Sequence, residues 1–440
     1  MLVFRMNSVI SLRMRSVIGA AGALLAASLL LPSGLPYAAG VAHAQAVTSQ
    51  PRVKRGTAAG TMKPAPSPAP STSKELPPRV PFTTAEDAVA AIPGIPDARF
   101  WADSETDYAN ALPSQSGPWL ILSSGGADGA FGAGLMTGLT AAGKRLDYQV
   151  VTGVSTGALM APFIFAGSRY DEKLRKAYTQ VSAADVFEAG SSTGESFVNS
   201  WPLRDFIAKQ ITPELMADIA AAHRAGRRLF VVTTNLDAER SMVWNMGAIA
   251  AHGGEQATKL FCSVLLASAS VPGGFPPAMI DVEANGKHFA EMHVDGGLGG
   301  QFFVAPAALM AATSQYHLPA SELYVVVNTG LQPNFKVVDR FAPTILTQAI
   351  GMAVPVDTRL MIDRAYLAAK RSGITFNVAT IPTSFNMPSA GAFDPKYMGA
   401  LFKTGLEQGR GANPFSDQPP PYPAAPASQQ PNRIEKTGAN

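Results

Sequence analysis

The sequence is poor in cysteine, histidine and charge. Its 440 residues include one cysteine and six histidines, and only 15% of them are charged. A single cysteine excludes an intramolecular disulfide framework. Cys262 lies in the apolar run 260–266, where we expect a small buried side chain rather than a nucleophilic thiol. No pair of histidines has the spacing of metal ligands, so we expect no metal and no other cofactor.

The few charges almost cancel. Arg5, Arg13 and Arg15 account for the whole formal net charge of +3, and residues 81–410 contain 24 basic and 29 acidic residues. This balance gives no support for nucleic-acid binding. Residues 45–80 are basic, and we expect them to be a solvated segment, with contact to an anionic surface as the alternative.

The N-terminus lacks an apolar run long enough to anchor the chain. Residues 17–31 are apolar, but a membrane-spanning helix requires roughly 18 to 20 such residues. Three arginines precede this stretch and Ala42-His43-Ala44 follows it, which gives residues 1–44 the three parts of a secretory signal peptide. We expect cleavage after Ala44 and export to the periplasm or the medium, with a membrane anchor as the alternative.

Composition divides the remaining chain into three parts. Residues 45–81 are rich in proline, alanine and serine, and such a segment cannot bury apolar surface, so we expect an extended linker. Residues 411–440 are rich in proline and glutamine, and we expect a disordered tail there. Residues 82–410 are therefore expected to form the folded domain.

Apolar patterning within residues 82–410 predicts alternating strands and helices, which is typical of an α/β layered fold. Asn285-Gly286 interrupts the alternation and predicts a hairpin. The expected strands are 119–123, 148–154, 229–234, 279–283, 287–294, 323–328 and 374–381, and the expected helices are 129–143, a helix from 155, 171–182, 202–210, 213–226, 260–266, 343–371 and 394–409.

Residues 153–157 read Gly-Val-Ser-Thr-Gly and follow the mostly apolar residues 148–151, with only Thr152 between them. A serine near two glycines at the end of a strand can occupy a tight turn that projects its hydroxyl, with a helix beginning behind it. Ser155 is therefore the candidate nucleophile, with Gly153 and Gly157 on either side, and we call residues 153–157 the serine elbow. A strand-to-helix turn without chemistry is the alternative.

A glycine-rich loop lies between the first predicted strand and its helix. Its amides can bind an anion, because glycines allow close approach and a helix N-terminus carries partial positive charge. No Gly-Lys-Ser/Thr follows, and the spacing of a dinucleotide site is absent. From the loop alone, a nucleotide site, a plain turn and an oxyanion hole remain open. The loop consists of Ser124, Gly125, Gly126, Ala127, Asp128 and Gly129.

Asp295 ends the second strand of the predicted hairpin and precedes Gly296 and Gly297. Taken alone, it is typical of an Asp-Gly turn. Its position after an anion-binding loop and a serine elbow favours a catalytic role.

In these three motifs the sequence resembles the patatin-like phospholipase family, as an exported bacterial-type member. The resemblance covers most of residues 118–300 and includes the proline-rich segment 267–277, which is similar to the turn before the family's catalytic aspartate. It implies a three-layer α/β/α fold with a mostly parallel central sheet. It also implies lipid acyl hydrolysis by a dyad, with Ser155 as nucleophile and Asp295 as general base.

Two residues depart from the family pattern, in which the first loop reads Gly-Gly-Gly-x-Arg/Lys-Gly. Here Ser124 replaces the first glycine and Asp128 occupies the basic position. A carboxylate facing the site would repel anionic head groups, whereas a carboxylate turned away could cap the following helix. The backbone amides of Gly125, Gly126 and Ala127 are expected to hold the oxyanion.

The expected substrate is a lipid or another acyl ester at a membrane or micelle surface, hydrolysed as by a phospholipase A, a lysophospholipase or a carboxylesterase. One alternative is a Ser-Asp-His esterase, for which His317 is the only histidine after Asp295. His293 precedes the acid on the same strand. The other alternative is an exported lipid-binding module without activity. Candidates for an acyl pocket or for ordinary core are Phe131, Leu135, Phe163 and Phe275.

Overall fold

The computed structural model describes residues 78–423 apart from 190–197, 273, 334 and 336. The predicted signal peptide, most of the linker and the end of the tail lie outside the described residues. The helices are α1 Thr84–Ala88, α2 Glu105–Ala111, α3 Gly129–Ala141, α4 Thr156–Ala166, α5 Asp171–Thr179, α6 Ala183–Val186, α7 Trp201–Gln210, α8 Pro213–Arg224, α9 Met246–His252, α10 Gly254–Ser268, α11 Ala307–Met310, α12 Ala342–Ser372 and α13 Pro395–Arg410.

The strands are β1 Arg99–Trp101, β2 Pro118–Leu122, β3 Val150–Val154, β4 Glu188–Ala189, β5 Val198–Asn199, β6 Arg228–Asn235, β7 Arg240–Asn245, β8 Ala278–Ala284, β9 Lys287–Asp295, β10 Glu322–Val327 and β11 Thr375–Thr380. They form one large sheet and a small antiparallel sheet of β4 with β5. In the large sheet the order is β1-β7-β6-β3-β2-β10-β11, and β9 pairs with β6 and β8.

The five consecutive strands β6, β3, β2, β10 and β11 run parallel. Parallel strands are covered on both faces, which is why they read as continuous apolar runs in the sequence. Alternate residues of β2 show the two covered faces, since Leu120 and Leu122 pack in one hydrophobic cluster and Trp119 and Ile121 in the other. The predicted α/β fold with helices on both sides of the sheet is confirmed.

The C-terminal ends of β3 and β9 meet on one edge of β6. Val154 of β3 pairs with Val232, and Asp295 of β9 pairs with the next residue, Thr233. Because β7 pairs along the opposite edge of β6, β3 and β9 must share the same edge. β3 runs parallel to β6 and β9 antiparallel to it, so the residue after Val154 lies beside Asp295.

Segments outside the parallel strands complete the sheet and cover it. β1 pairs with β7, and both are short strands that the sequence pattern did not predict. Residues 411–423 continue past the predicted end of the domain, and Ser416 forms a β-bridge with Val378 of β11. Among the described residues, no helix combines the length and apolar character needed to span a bilayer.

Candidate active site

Ser155 lies on a strained turn between β3 and α4. Its φ of 55° and ψ of −122° are unusual for a residue with a side chain, and such strain is characteristic of functional turns. Glycine is required at both flanking positions, because backbone carbonyl oxygens lie where a side chain would begin. A Cβ on Gly153 would lie 2.4 Å from the carbonyl oxygen of Gly157, and one on Gly157 would lie 2.3 Å from that of Leu122. The Gly-x-Ser-x-Gly pattern therefore reflects backbone packing on both sides of the serine.

The hydroxyl of Ser155 donates a 2.6 Å hydrogen bond to Oδ2 of Asp295. Both residues are buried, at 7% and 5% exposure, so little solvent competes for this bond. The amide of Gly297 donates to Oδ1 of Asp295 at 2.7 Å. Gly296 packs against β6, where a Cβ would lie 2.3 Å from the carbonyl oxygen of Val232. The aspartate is thus fixed with one oxygen toward Ser155.

Burial changes the pKa of the Asp295 carboxyl group. It raises the pKa of Asp295 to about 6, although the hydrogen bonds from Ser155 and Gly297 favour the ionised form. An ordinary aspartate has a pKa of about 3.9 and is a weak base. The higher pKa makes this carboxylate a stronger proton acceptor that is still ionised at neutral pH.

Ser268, at the end of α10, links the serine elbow to β6 through two hydrogen bonds. Its Oγ accepts a 3.0 Å hydrogen bond from the amide of Ser155 and donates a 2.7 Å bond to the carbonyl oxygen of Val232. Ser268 is fully buried, so each of these backbone groups would lose its partner if the hydroxyl were removed. No sequence pattern indicates this role, because a serine at the end of a helix is common.

The glycine-rich loop begins at the end of β2, next to β3 and its elbow. Gly125 has a φ of 158° and passes so close to β10 that a Cβ would lie 1.9 Å from the carbonyl oxygen of Asn328. Gly126 and Ala127 open a short 3₁₀ turn, Gly126–Asp128, and amides at the start of a helical turn have no acceptor within it. Gly129 abuts the elbow, since a Cβ there would lie 2.2 Å from Oγ1 of Thr156.

Ser124 connects the loop to the segment that carries Asp295. Its hydroxyl donates a short hydrogen bond to Oε1 of Gln301, and Nε2 of Gln301 donates to the carbonyl oxygen of Gly297 at 2.9 Å. The amide of Ser124 also donates to the carbonyl oxygen of Gln301 at 2.8 Å. The serine that departs from the family pattern therefore ties the loop to the aspartate turn.

Asp128 turns toward α13 rather than capping α3. Its Oδ1 accepts a 2.6 Å hydrogen bond from the hydroxyl of Tyr397, and it forms no side-chain cap on the helix that follows. Burial raises the pKa of Asp128 to about 6, while the bonds from Tyr397 and from the backbone of Gly330 oppose that rise. Of the two alternatives for Asp128, the carboxylate is thus turned away, but it does not cap α3. The carboxylate is directed toward α13 and the end of β10, away from the β3 side where Ser155 lies.

Neither candidate histidine reaches Ser155. His317 is exposed in the connection that leads into the start of β10, at the opposite edge of the parallel strands from the elbow. His293 is fully buried and both its nitrogens are engaged, with Nε2 3.0 Å from Glu291 and Nδ1 2.9 Å from Oγ1 of Thr233. The arrangement of a Ser-Asp-His triad is absent from the described residues.

The His293 contacts belong to a buried network behind Asp295. Arg99 of β1 donates two hydrogen bonds to Glu291, one of them at 2.8 Å. Burial by itself would raise the pKa of Glu291, but the bonds from Arg99 and His293 outweigh it and hold the pKa at about 2. Because Glu291 is ionised, Nε2 of His293 must carry the proton. Nδ1 then accepts from Thr233, whose oxygen accepts from Trp244 at 2.8 Å.

The remaining candidate residues lie in the core. The four side chains proposed for an acyl pocket are all buried in the larger hydrophobic cluster, so the ordinary-core interpretation accounts for them: Phe131, Leu135, Phe163 and Phe275. Cys262 is partly buried, and burial raises the pKa of its thiol to about 11, which disfavours a thiolate. Within the described ranges no cluster of three potential metal ligands occurs.

Comparison with known proteins gives a family match and likenesses among solved structures. Residues 120–308 match the model of the patatin-like phospholipase family. Among solved structures, VipD from Legionella pneumophila is similar, with 12% identity, a TM-score of 0.38, and coverage of 67% of this chain and 66% of that chain. The chain thus spans slightly less than two thirds of that protein's length, and a likeness this weak supports no argument. A search of curated proteins finds no match.

The family match begins in β2 and ends in α11, so it includes the glycine-rich loop, the elbow and Asp295. The resemblance inferred from the three motifs is confirmed. Residues 120–308 are therefore similar to the patatin-like phospholipase family, and this similarity supports lipid acyl hydrolysis in general.

Proposed function

We propose that this protein hydrolyses carboxylic ester bonds of lipids through a Ser155–Asp295 dyad and an acyl-enzyme intermediate. The observation that carries the proposal is the 2.6 Å hydrogen bond from Oγ of Ser155 to Oδ2 of Asp295, with no histidine between them. A serine hydroxyl is a weak nucleophile until a neighbouring base removes its proton. Asp295 supplies that base in the required position.

In the first half of the reaction, Oγ of Ser155 attacks the ester carbonyl carbon and its proton passes to Asp295. The carbonyl oxygen becomes an oxyanion, which the amides of Gly125, Gly126 and Ala127 stabilise. One such donor typically lowers the barrier by about 3 kcal/mol. The intermediate then collapses, the bond to the alcohol breaks, and the leaving alcohol takes the proton from Asp295.

In the second half, water replaces the alcohol. Asp295 removes a proton from this water as it attacks the acyl carbon, and a second oxyanion forms in the same loop. Collapse breaks the bond to Oγ of Ser155, which regains the proton from Asp295, and the carboxylic acid is released. The same carboxylate therefore acts as base and acid in each half-reaction.

The proposal is tested with p-nitrophenyl esters and phospholipids as substrates for purified wild type and matched variants. Ser155→Ala and Asp295→Asn are each expected to abolish hydrolysis while retaining the thermal unfolding transition. His317→Ala is the control and is expected to keep full activity. Full activity in Ser155→Ala would refute the dyad, and loss of activity in His317→Ala would favour a triad.

Labelling provides a test that does not depend on the correct substrate. A fluorophosphonate probe reacts with an activated serine, and we expect it to label wild type but not Ser155→Ala. Absence of labelling in folded wild type would favour a lipid-binding module without activity.

We also propose that the protein is exported, on the basis of its first 44 residues. Expression with the native N-terminus should yield a periplasmic or extracellular protein whose first residue is Gln45. Retention of residues 1–44 in a membrane fraction would favour the anchor.

A further inference from the structure

Exposed large apolar side chains are concentrated in one segment after β10. Of the seventeen that occur in the described part of the chain, eight lie between residues 335 and 367, although isolated exposed apolar residues are normal on a protein surface. Phe335 is 93% exposed and Met352 is 63% exposed. The eight are Phe335, Val337, Phe341, Ile345, Met352, Val356, Leu360 and Leu367.

Five of these side chains form one face of α12. At about 100° per residue they fall within an arc of about 80°, and at about 1.5 Å per residue they span roughly 33 Å. They are Ile345, Met352, Val356, Leu360 and Leu367, and we call them the apolar face of α12. A different side of the helix packs inward through Ile362, Ala365 and Ala369, all of which are fully buried. The apolar face is therefore additional to the face that stabilises the fold.

The first half of this helix is uncharged. No charged residue occurs between Arg340 and Asp357. In the second half, Arg359 is turned inward and donates to the carbonyl oxygen of Leu331 at 2.8 Å. Asp363 and the exposed Lys370 fall within the arc of the apolar face, and Asp363 accepts a 2.6 Å hydrogen bond from Tyr422. The uncharged part of the face, from Ile345 to Val356, therefore fits an apolar partner that needs no net charge.

The helix starts near the C-terminal ends of β2, β3 and β10, which we call the catalytic edge of the sheet, and its last turn lies at the opposite edge, where the amide of Leu318 donates to Ser372. The segment that leads to it leaves the C-terminal end of β10, where Thr329 donates to the carbonyl oxygen of Ser124 at 3.2 Å. Met361 contacts the turn after the catalytic aspartate, since a Cβ on Gly300 would lie 3.4 Å from its terminal methyl group. Leu298, three residues after Asp295, is itself exposed.

We propose that the apolar face of α12 docks on a zwitterionic phospholipid surface and brings the catalytic edge to its substrate. The choice of a lipid surface as the occupant rests on the proposed function. A protein interface of standard size takes about 20 to 30 residues from each partner, whereas this face is a single row on one helix. An amphipathic helix lying in a lipid interface buries only such a row.

Vesicle flotation in the Ser155→Ala background separates binding from catalysis. This protein should float with dioleoylphosphatidylcholine vesicles, and Met352→Asp/Val356→Asp should lower its partition coefficient at least about tenfold, because two charges would enter the apolar interface. Leu146→Asp is the matched control, because Leu146 is exposed in the connection entering β3 at the opposite edge of the sheet. It should float like the parent.

The same substitutions are then made in the active protein, which retains Ser155. Their effect on activity separates a failure of the docking proposal from a failure of the proposed function. Met352→Asp/Val356→Asp should retain hydrolysis of monomeric p-nitrophenyl butyrate and the wild-type unfolding temperature, but lose at least about tenfold of its activity on vesicles. Unchanged flotation of the double variant would overturn the docking proposal. So would a dimer in light scattering that the double variant converts to a monomer. If the Ser155→Ala protein floats but the protein with Ser155 hydrolyses no ester, the proposed function is refuted and the docking proposal stands.

Discussion

The hydroxyl of Tyr397 donates a 2.6 Å hydrogen bond to the carboxylate of Asp128. This contact turns the acid within the glycine-rich loop toward α13. Burial and the interaction with Asp128 both raise the pKa of the Tyr397 hydroxyl above its ordinary value. Asp128 is thus part of the packing between the loop and α13.

Tyr397→Phe tests this packing. Hydrogen bonds to charged groups typically contribute about 1.5 to 3 kcal/mol, so we expect a loss of this size in the free energy of unfolding at pH 8. The pKa of Asp128 is about 6, and Tyr397 favours its ionised form. The loss should therefore shrink as the pH falls through 6 toward 4. Urea denaturation at pH 8 and pH 4.5 measures both values, and an equal loss at the two pH values would contradict the assignment.

The pH dependence of hydrolysis reports on Asp295. The base must be ionised, and its pKa is about 6, so kcat/KM for a soluble ester should be constant above pH 7 and fall about tenfold per unit below pH 6. His317→Ala should give the same acid limb. An acid limb with its midpoint near pH 4 would mean that the carboxylate is solvated in the free enzyme and that burial does not raise its pKa.

Ser268→Ala removes the support of the elbow. The amide of Ser155 and the carbonyl of Val232 would lose their partners inside the protein, and an unsatisfied buried group costs about 1 to 3 kcal/mol. We expect lower stability and a reduced kcat, because the strained turn loses a constraint. Ser270→Ala is the control, since its buried hydroxyl donates to the carbonyl oxygen of Leu266 and does not contact the elbow. Equal effects on kcat would refute the specific role of Ser268.

The pair of Arg99 and Glu291 is expected to matter most for stability. Removing one partner of a buried ion pair typically costs about 3 to 5 kcal/mol, because the other charge stays buried without compensation. Glu291→Leu and Arg99→Met should each show such a loss in urea denaturation. The double variant should lose less than the sum of the single losses. Strict additivity would show that the two side chains act independently.

Much of this architecture is predictable from local sequence. The parallel strands read as continuous apolar runs, and Asn285-Gly286 forms the expected turn with φ of 53° and 78°. The order of loop, elbow and aspartate was sufficient to nominate Ser155 and Asp295. These features are predictable because each depends on residues that are close together in the chain.

The contacts that support the site are not predictable in this way. Ser268 lies 113 residues from Ser155, Gln301 lies 177 from Ser124, and Tyr397 lies 269 from Asp128. Each is an ordinary residue until the fold brings its partner near. The alternative of a helix cap for Asp128 is not found for the same reason, since its carboxylate accepts a hydrogen bond from the distant Tyr397 instead.

The end-to-end meeting of β3 and β9 on β6 also constrains how the protein refolds. Ser155 and Asp295 are 140 residues apart, and the site exists only when both strands have paired with β6. Pairings so distant in the chain form slowly compared with local helices. During refolding from urea, hydrolytic activity should therefore return after the helical circular-dichroism signal. The recovery of hydrolytic activity during refolding then reports when both β3 and β9 have paired with β6.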